Sequence, residues 1–325
     1  MSTFDCYFQS LQGKKIAVLG LGVSNRPLVR LLLEFGCDVL GCDRTPREKL
    51  DTEVLELEQQ GCKLSVGDNY LDGVEADVLF RTPGMHPGNP AIRSLAEKGA
   101  VITSEMEAFF AVCPCSIIAV TGSNGKTSTA EMIAAILRAG GKTVVYNEEG
   151  SNQIEGVTTL ILNNCSLTGK TRGDVLLLES DERYAKFSFK WFHPTHFVIT
   201  NLYRDQMTRN AHSEWIYNIL LDSIDAKTSL ILNANDPLVS KFSKVVASEN
   251  VVYFSMDENK YSTKKPIGKY NDGAYCPICK HPLEYEYYNM AHIGKFKCKN
   301  CAFRTEDALC RVTSVDLDKL NIVFD

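Results

Sequence analysis

The sequence predicts an α/β protein of two domains, and three observations carry that prediction. Short apolar runs alternate with helical patterns along most of the 325 residues. Two of those runs feed glycine turns that open a helix, at Gly20–Ser24 and at Thr121–Thr127. Two Cys-x-x-Cys pairs close together mark a small insertion late in the chain. Strands alternating with helices argue a parallel sheet covered on both faces. The expected layout is a Rossmann-like domain over residues 1–112, then a P-loop domain over 113–325 with a zinc-ribbon insertion at about 272–304.

Composition sets the limits. Hydrophobic residues make up 44% and charged residues 23%, an ordinary globular balance. A net charge of −5 gives no basic stripe, so no nucleic-acid partner is expected. No apolar run approaches the roughly 18 residues of a membrane span. Met1–Ser10 lacks a basic region followed by an apolar stretch, so the chain is expected to be cytoplasmic, with no transmembrane segment. Of twelve cysteines, eight are scattered (Cys6, Cys37, Cys42, Cys62, Cys113, Cys115, Cys165, Cys310). These are expected to be small apolar residues or inert thiols rather than a disulfide framework.

In the first domain, Lys15–Gly20 reads as a strand, and Pro27–Glu34 as a helix with Leu28, Leu31 and Leu32 at helical spacing. Asp38–Asp43, Asp77–Thr82 and Ala100–Thr103 are further strands. The turn Gly20-Leu21-Gly22-Val23-Ser24-Asn25 resembles G-x-G-x-x-G, with Asn25 at the third glycine. Asp43 ends the next strand, where an acidic residue often meets a ribose hydroxyl. On these residues a dinucleotide site, a nucleotide-sugar site and a plain βα turn all stay open.

The second domain begins near Cys113. Ser116–Val120 is a buried-strand run that feeds Thr121-Gly122-Ser123-Asn124-Gly125-Lys126-Thr127-Ser128. Behind it Ala130, Ile133, Ala134 and Leu137 form one helical face, ended by Gly140-Gly141. Asp174–Leu178, His196–Asn201, Ser229–Asn233 and Val251–Phe254 are strands, and Asp257–Asn271 is a polar connection.

The glycine loop is the firmest motif. Its glycines let backbone N–H groups curl onto phosphate oxygens, and the helix N-terminus adds a favourable dipole. Lys126 would reach the outer phosphates, and the Thr127 hydroxyl would hold Mg²⁺. Val120 stands at the first glycine of G-x-x-x-x-G-K-[ST]. The expected ligand is Mg-ATP, on Thr121, Gly122, Ser123, Asn124, Gly125, Lys126, Thr127 and Ser128. Leu178-Glu179-Ser180-Asp181-Glu182 ends an apolar strand. It is either a set of carboxylates placed for Mg²⁺ or an acidic turn without function. Cys276, Cys279, Cys298 and Cys301 have the spacing of a closed four-thiolate zinc site, a structural role, with four free thiols as the competing reading. His281 and His292, between the pairs, are expected to face solvent. Thr200–Gln206 and Leu232–Pro237 put polar groups at the same sheet edge without a mechanism of their own.

Taken together, these motifs resemble the Mur ligases, ATP-dependent amide-forming enzymes of peptidoglycan synthesis. Lys14–Gly141 resembles the D-glutamate-adding branch, through Gly20–Ser24, Thr82-Pro83-Gly84 and Ser104-Glu105-Met106-Glu107. From about Asn147 onward the chain resembles the branch that amidates the D-glutamate of lipid II with a glutaminase partner. The residues carrying that likeness are Asn147, Gly150-Ser151-Asn152, Leu178–Glu182, Asn201–Gln206 and the four cysteines. The resemblance implies uridine-diphosphate contacts from Gly22, Val23, Ser24, Asp43, Thr82, Pro83 and Gly84. It implies Mg²⁺ ligation by Thr127 and Glu179, catalytic roles for Lys126 and Glu179, and Asn233 with Asp236 near the adenine. It implies that ATP phosphorylates a muramoyl-peptide carboxylate, uridine- or lipid-linked, and that D-glutamate or ammonia displaces the phosphate. The alternative is an ATP- and zinc-binding subunit that depends on a glutaminase subunit. The third α/β domain of the family has no counterpart in these residues, so the chain is expected not to complete the reaction alone.

Overall fold

The computed structural model describes residues 3–22, 25–82, 85, 89–105, 108, 115–147, 157, 160, 163–164, 171–183, 185–189, 194–202, 213–267, 271–319 and 321–325. The chain divides into two compact units, Met1–Cys115 with Ile154–Asp174, and Ser116–Gln153 with Val175–Asp325. Among the described residues no helix is long and apolar enough to cross a membrane.

The first unit is built on five parallel strands: β1 (Lys15–Leu19), β2 (Asp38–Asp43), β3 (Lys63–Val66), β4 (Val78–Arg81) and β5 (Val101–Thr103), in the order β3-β2-β1-β4-β5. Helix α1 (Thr3–Gln9) precedes β1, and α2 (Asn25–Glu34), α3 (Thr52–Gln59) and α4 (Pro90–Glu97) make the crossovers. The two-residue period of β1 divides the core. Ile16 and Val18 pack with Leu28, Val29, Leu32 and Leu57 on one face, while Ala17 and Leu19 pack with Leu79, Ile92 and Leu95 on the other. Strand order reverses between β1 and β4, so the crevice at their carboxyl ends is where this topology accepts ligands.

The second unit carries an eight-stranded sheet: β6 (Ser116–Thr121), β7 (Val144–Tyr146), β8 (Val175–Glu179), β9 (His196–Ile199), β10 (Ser229–Asn233), β11 (Val251–Met256), β14 (Cys310–Asp316) and β15 (Asn321–Phe324). Their order is β15-β14-β11-β10-β9-β6-β8-β7, parallel except for β15 on β14. Helix α5 (Lys126–Ala139) lays Ala130 and Ala134, one turn apart, on Val120, Leu177 and Val198. Ile133 and Leu137 are half-buried beside them, which completes the face the sequence predicts, while Met132 and Ile136 point to solvent. Crossover helices α2, α3, α4 and α5 all stop in the same way. A left-handed glycine follows each (Gly36, Gly61, Gly99, Gly141), and the next N–H bonds back to the helix.

A hairpin of β12 (Leu283–Met290) and β13 (Ile293–Cys298) forms the third sheet, with the cysteine knuckles at its open end. Strands β3, β7, β14 and β15 and this hairpin are not among the strands the sequence predicts.

Candidate functional site

Three strand ends converge on the phosphate loop. Strands β8 and β9 flank β6, with Val120 opposite Glu179 and Thr121 opposite Ile199. The Thr121 hydroxyl donates to the Ser180 carbonyl at 2.9 Å. Gly122 has φ +139, and a Cβ there would stand 2.1 Å from the Thr200 hydroxyl. The loop is then clamped from β9. Ser123 N–H donates to the Asn201 carbonyl at 2.8 Å, and Asn124 N–H to Asn201 Oδ1 at 3.0 Å. Asn201 Nδ2 and the Thr200 hydroxyl both donate to the Asn124 carbonyl, at 3.0 and 2.9 Å.

The clamp divides the loop amides into two groups. The Ser123 and Asn124 amides are already committed to Asn201. The donors aimed outward are those of the first turn of α5, at Lys126, Thr127 and Ser128, which have no partner within the helix. Thr127 and Ser128 are exposed there. Lys126 folds back: its Nζ donates to the Gly122 carbonyl at 2.6 Å and pairs with the buried Glu182 carboxylate at 3.3 Å. Glu179, also buried, is fixed through its backbone, which exchanges two hydrogen bonds with the Asn147 amide at 2.8 and 3.0 Å. Burial alone would raise the Asp181 carboxyl, but Arg183 and its backbone N–H hold it below its ordinary value. A helix N-terminus, a lysine and two buried carboxylates fit a Mg²⁺-bound polyphosphate.

The expected adenine contacts divide. Asn233 donates to the Thr200 carbonyl at 3.0 Å, supporting the clamp from behind. Asp236 is fully buried; Oδ2 accepts from Leu202 N–H at 2.8 Å, and Oδ1 caps the helix Pro237–Ser240. Its carboxylate thus braces the segment after β9 against the helix Pro237–Ser240.

Cys276, Cys279, Cys298 and Cys301 bring four sulfurs within 4.8 Å of one another. The pairs Cys276–Cys301 and Cys279–Cys298 stand at 3.6 and 3.4 Å. Four Zn–S arms of about 2.3 Å place sulfurs about 3.8 Å apart, so the cluster fits a tetrahedral ion. The backbone at His281 draws the Cys279 thiol down to about 5. Although the Phe303 N–H lowers it, Cys301 is pushed up to about 12 by burial and its cysteine neighbours. His281 is exposed, as expected. His292 is not: it is buried, with Nε2 3.3 Å from Asp236 Oδ1.

In the first unit the Gly20 turn is closed by the residue that breaks the glycine pattern. Asn25 is buried and its amide donates to the Leu19 and Gly20 carbonyls at 3.2 and 2.8 Å. Asp43 accepts from Leu21 and Thr45 N–H at 2.6 and 2.8 Å, which outweighs burial and keeps its carboxyl low. Thr82 packs over Gly20, and Gly22 is open. Val23, Ser24, Pro83 and Gly84 lie outside the described residues, as do Met106, Glu107, Cys113, Cys165 and residues 150–152 and 203–206. Cys37, Cys42 and Cys62 are buried and their thiols raised, Cys42 to about 12 by desolvation, so they are inert.

Glu105 is buried with no partner at either carboxylate oxygen, and burial raises it to about 7 from 4.5. The folded state binds this proton more tightly than the unfolded chain. Its stabilising contribution is therefore full below the unfolded value and lost as pH rises through the folded one. Glu105→Gln is expected to raise the melting temperature by about 2–4 °C at about pH 8 and to leave it unchanged at about pH 4. Thermal melts at the two pH values check this.

Residues 120–303 match the family model for the Mur ligase middle domain, more than half of the chain. The chain belongs to the Mur ligase family. A UDP-N-acetylmuramoylalanine–D-glutamate ligase of Clostridium botulinum is 30% identical over 266 residues, 80% of this chain and 55% of that protein. The enzyme of that name from Clostridium novyi is 42% identical over 151 residues, 46% of this chain and 33% of that protein. Among solved structures, a pseudomurein peptide ligase type C from Methanothermus fervidus superposes with a TM-score of 0.53 at 25% identity. That match covers 94% of this chain and 60% of the other. This Mur ligase family chain thus spans about half the length of the curated relatives it matches, or less.

What the sequence reading missed in this family site is the clamp. Asn201 stands 77 residues from Asn124, and the only signal was a polar pair after a strand. Asn201→Ala removes the two side-chain bonds to Asn124, leaves the backbone bond to Ser123, and is expected to weaken Mg-ATP binding about tenfold. Calorimetric titration against the wild-type chain checks it.

Proposed function

We propose that this chain is the nucleotide- and substrate-binding part of an ATP-dependent carbon–nitrogen ligase of peptidoglycan synthesis. The single observation that supports it most is the clamped loop, with Lys126 paired to the buried Glu182 at the N-terminus of α5. On this reading the Lys126 ammonium leaves the Gly122 carbonyl for the outer phosphates. The N–H groups of Lys126, Thr127 and Ser128 orient them. The Thr127 hydroxyl and Glu179 hold Mg²⁺, which when bound neutralises charge on the transferred phosphoryl group. The acceptor is the carboxylate of a muramoyl peptide, held by its uridine diphosphate at Gly22, Asp43 and Thr82. An amine then displaces phosphate from the acyl phosphate. Cys276, Cys279, Cys298 and Cys301 hold a structural Zn²⁺.

The four-cysteine ribbon favours a second reading, in which ammonia from a glutaminase partner replaces D-glutamate as the amine. Incubation with ATP, a UDP-linked or lipid-linked muramoyl peptide, and either D-glutamate or ammonia separates the two by the amide formed. Calorimetry comes first: a chain that takes up no Mg-ATP sinks both.

A further inference from the structure

The described residues contain a continuous hydrogen-bonded path from the ribbon to the phosphate loop. It begins at the turn between β12 and β13. His292 there is buried and sets Nε2 3.3 Å from Asp236 Oδ1. Close packing holds it there: a Cβ on Gly273 would stand 2.8 Å from the His292 Cβ, and Gly294 N–H ties to the Asn235 carbonyl at 2.9 Å. The buried Asp236 carboxylate gathers four donors. Leu238 and Val239 N–H come from its own helix, Leu202 N–H from the segment after β9, and Nε2 from the ribbon. Leu202 directly follows Asn201, whose carbonyl and side chain hold Ser123 and Asn124.

Among the described residues His292 is the one side chain that donates to this carboxylate. Without it, Asp236 keeps the two donors of its own helix on Oδ1 and can turn toward them, which loosens the opposite bond to Leu202. A shared acceptor of this kind couples its donors, because each restricts the geometry available to the others. We propose that His292 is a positioning residue for the phosphate loop, acting through Asp236 on the Leu202–Asn201 segment that clamps Ser123 and Asn124. The cysteine ribbon is then a brace of the nucleotide site rather than an appendage. Only the consequence for nucleotide affinity rests on the proposed function; the coupling itself is a statement about the loop.

Hydrogen exchange of the whole 325-residue chain, without nucleotide, reads that coupling directly. In His292→Leu, exchange at Ser123 and Asn124 is expected to rise about tenfold, as one bond to a charged group is lost. His292→Gln, whose amide can still donate to Asp236, should stay within about threefold of wild type. Strand β8 should exchange as in wild type in both, and zinc content should not change. If leucine prevents folding, His292→Asn, too short to reach Asp236, is expected to give the same loop exchange. Unchanged loop exchange overturns the proposal, and so does a uniform rise through the second unit, which would mean loss of stability alone. Mg-ATP titration of the same samples should show about tenfold weaker binding for His292→Leu. A wild-type chain that binds no Mg-ATP refutes the proposed function, and the exchange result still decides this inference.

Discussion

Lys126→Ala is expected to bind Mg-ATP at least about a hundredfold more weakly than the wild-type chain. Two effects act in the same direction. The substitution removes a charged donor to the phosphates, worth about 1.5–3 kcal/mol. It also removes the cation facing Glu182, a side chain only 4% exposed. With that ammonium gone, the Glu182 negative charge is less balanced beside an incoming polyanion, which adds repulsion to the lost attraction. The second effect separates this site from a generic lysine contact. Lys126→Ala combined with Glu182→Gln should therefore recover part of the lost affinity, and Glu182→Gln alone should leave Lys126 freer to meet phosphate. Calorimetric titration of the three variants checks the argument. Equal affinity in Lys126→Ala and wild type would remove the phosphate loop from the mechanism.

Native mass spectrometry is expected to show about one zinc per chain, lost in Cys298→Ser and on chelation. The physical reason is the size of the ribbon's own core. Its buried members are Cys276, Phe296, Cys298 and Phe303, with Leu283 and Tyr285 half-covered. So small a cluster does not stabilise a hairpin by itself, and small modules rely on metals or disulfides for what the core lacks. Binding energy at a structural zinc is folding energy, about 10–16 kcal/mol in zinc-finger peptides. Removing the metal should therefore unfold β12 and β13 as a unit while the strands of the first unit keep their exchange protection. A metal-free chain with an intact hairpin would refute the zinc reading.

Much of this was legible in the sequence because it depends on neighbours in the chain. Val175–Glu179 is an unbroken buried run, and a strand with both faces covered reads that way from its residues alone. The loop Thr121–Ser128 and the paired cysteines declare themselves by spacing. The partners that hold these features were not legible, because each lies far along the chain. Asn201 clamps a loop 77 residues away, and His292 is 56 residues from Asp236. Local pattern makes a histidine between two knuckles look solvent-facing; only tertiary packing against Gly273 buries it. Asn25 shows the same limit. It breaks a glycine motif on paper, yet its amide makes the bonds that close the turn.

Gly122 and Thr200 form a lock with an order of entry. A methyl group at residue 122 would overlap the hydroxyl at residue 200, and the left-handed backbone there adds its own penalty. In a library varied at both positions, routes that alter residue 122 first are closed, while routes that first shrink residue 200 lose the bond to the Asn124 carbonyl. A path to a roomier loop therefore has to pass through a weaker binder, whichever position moves first.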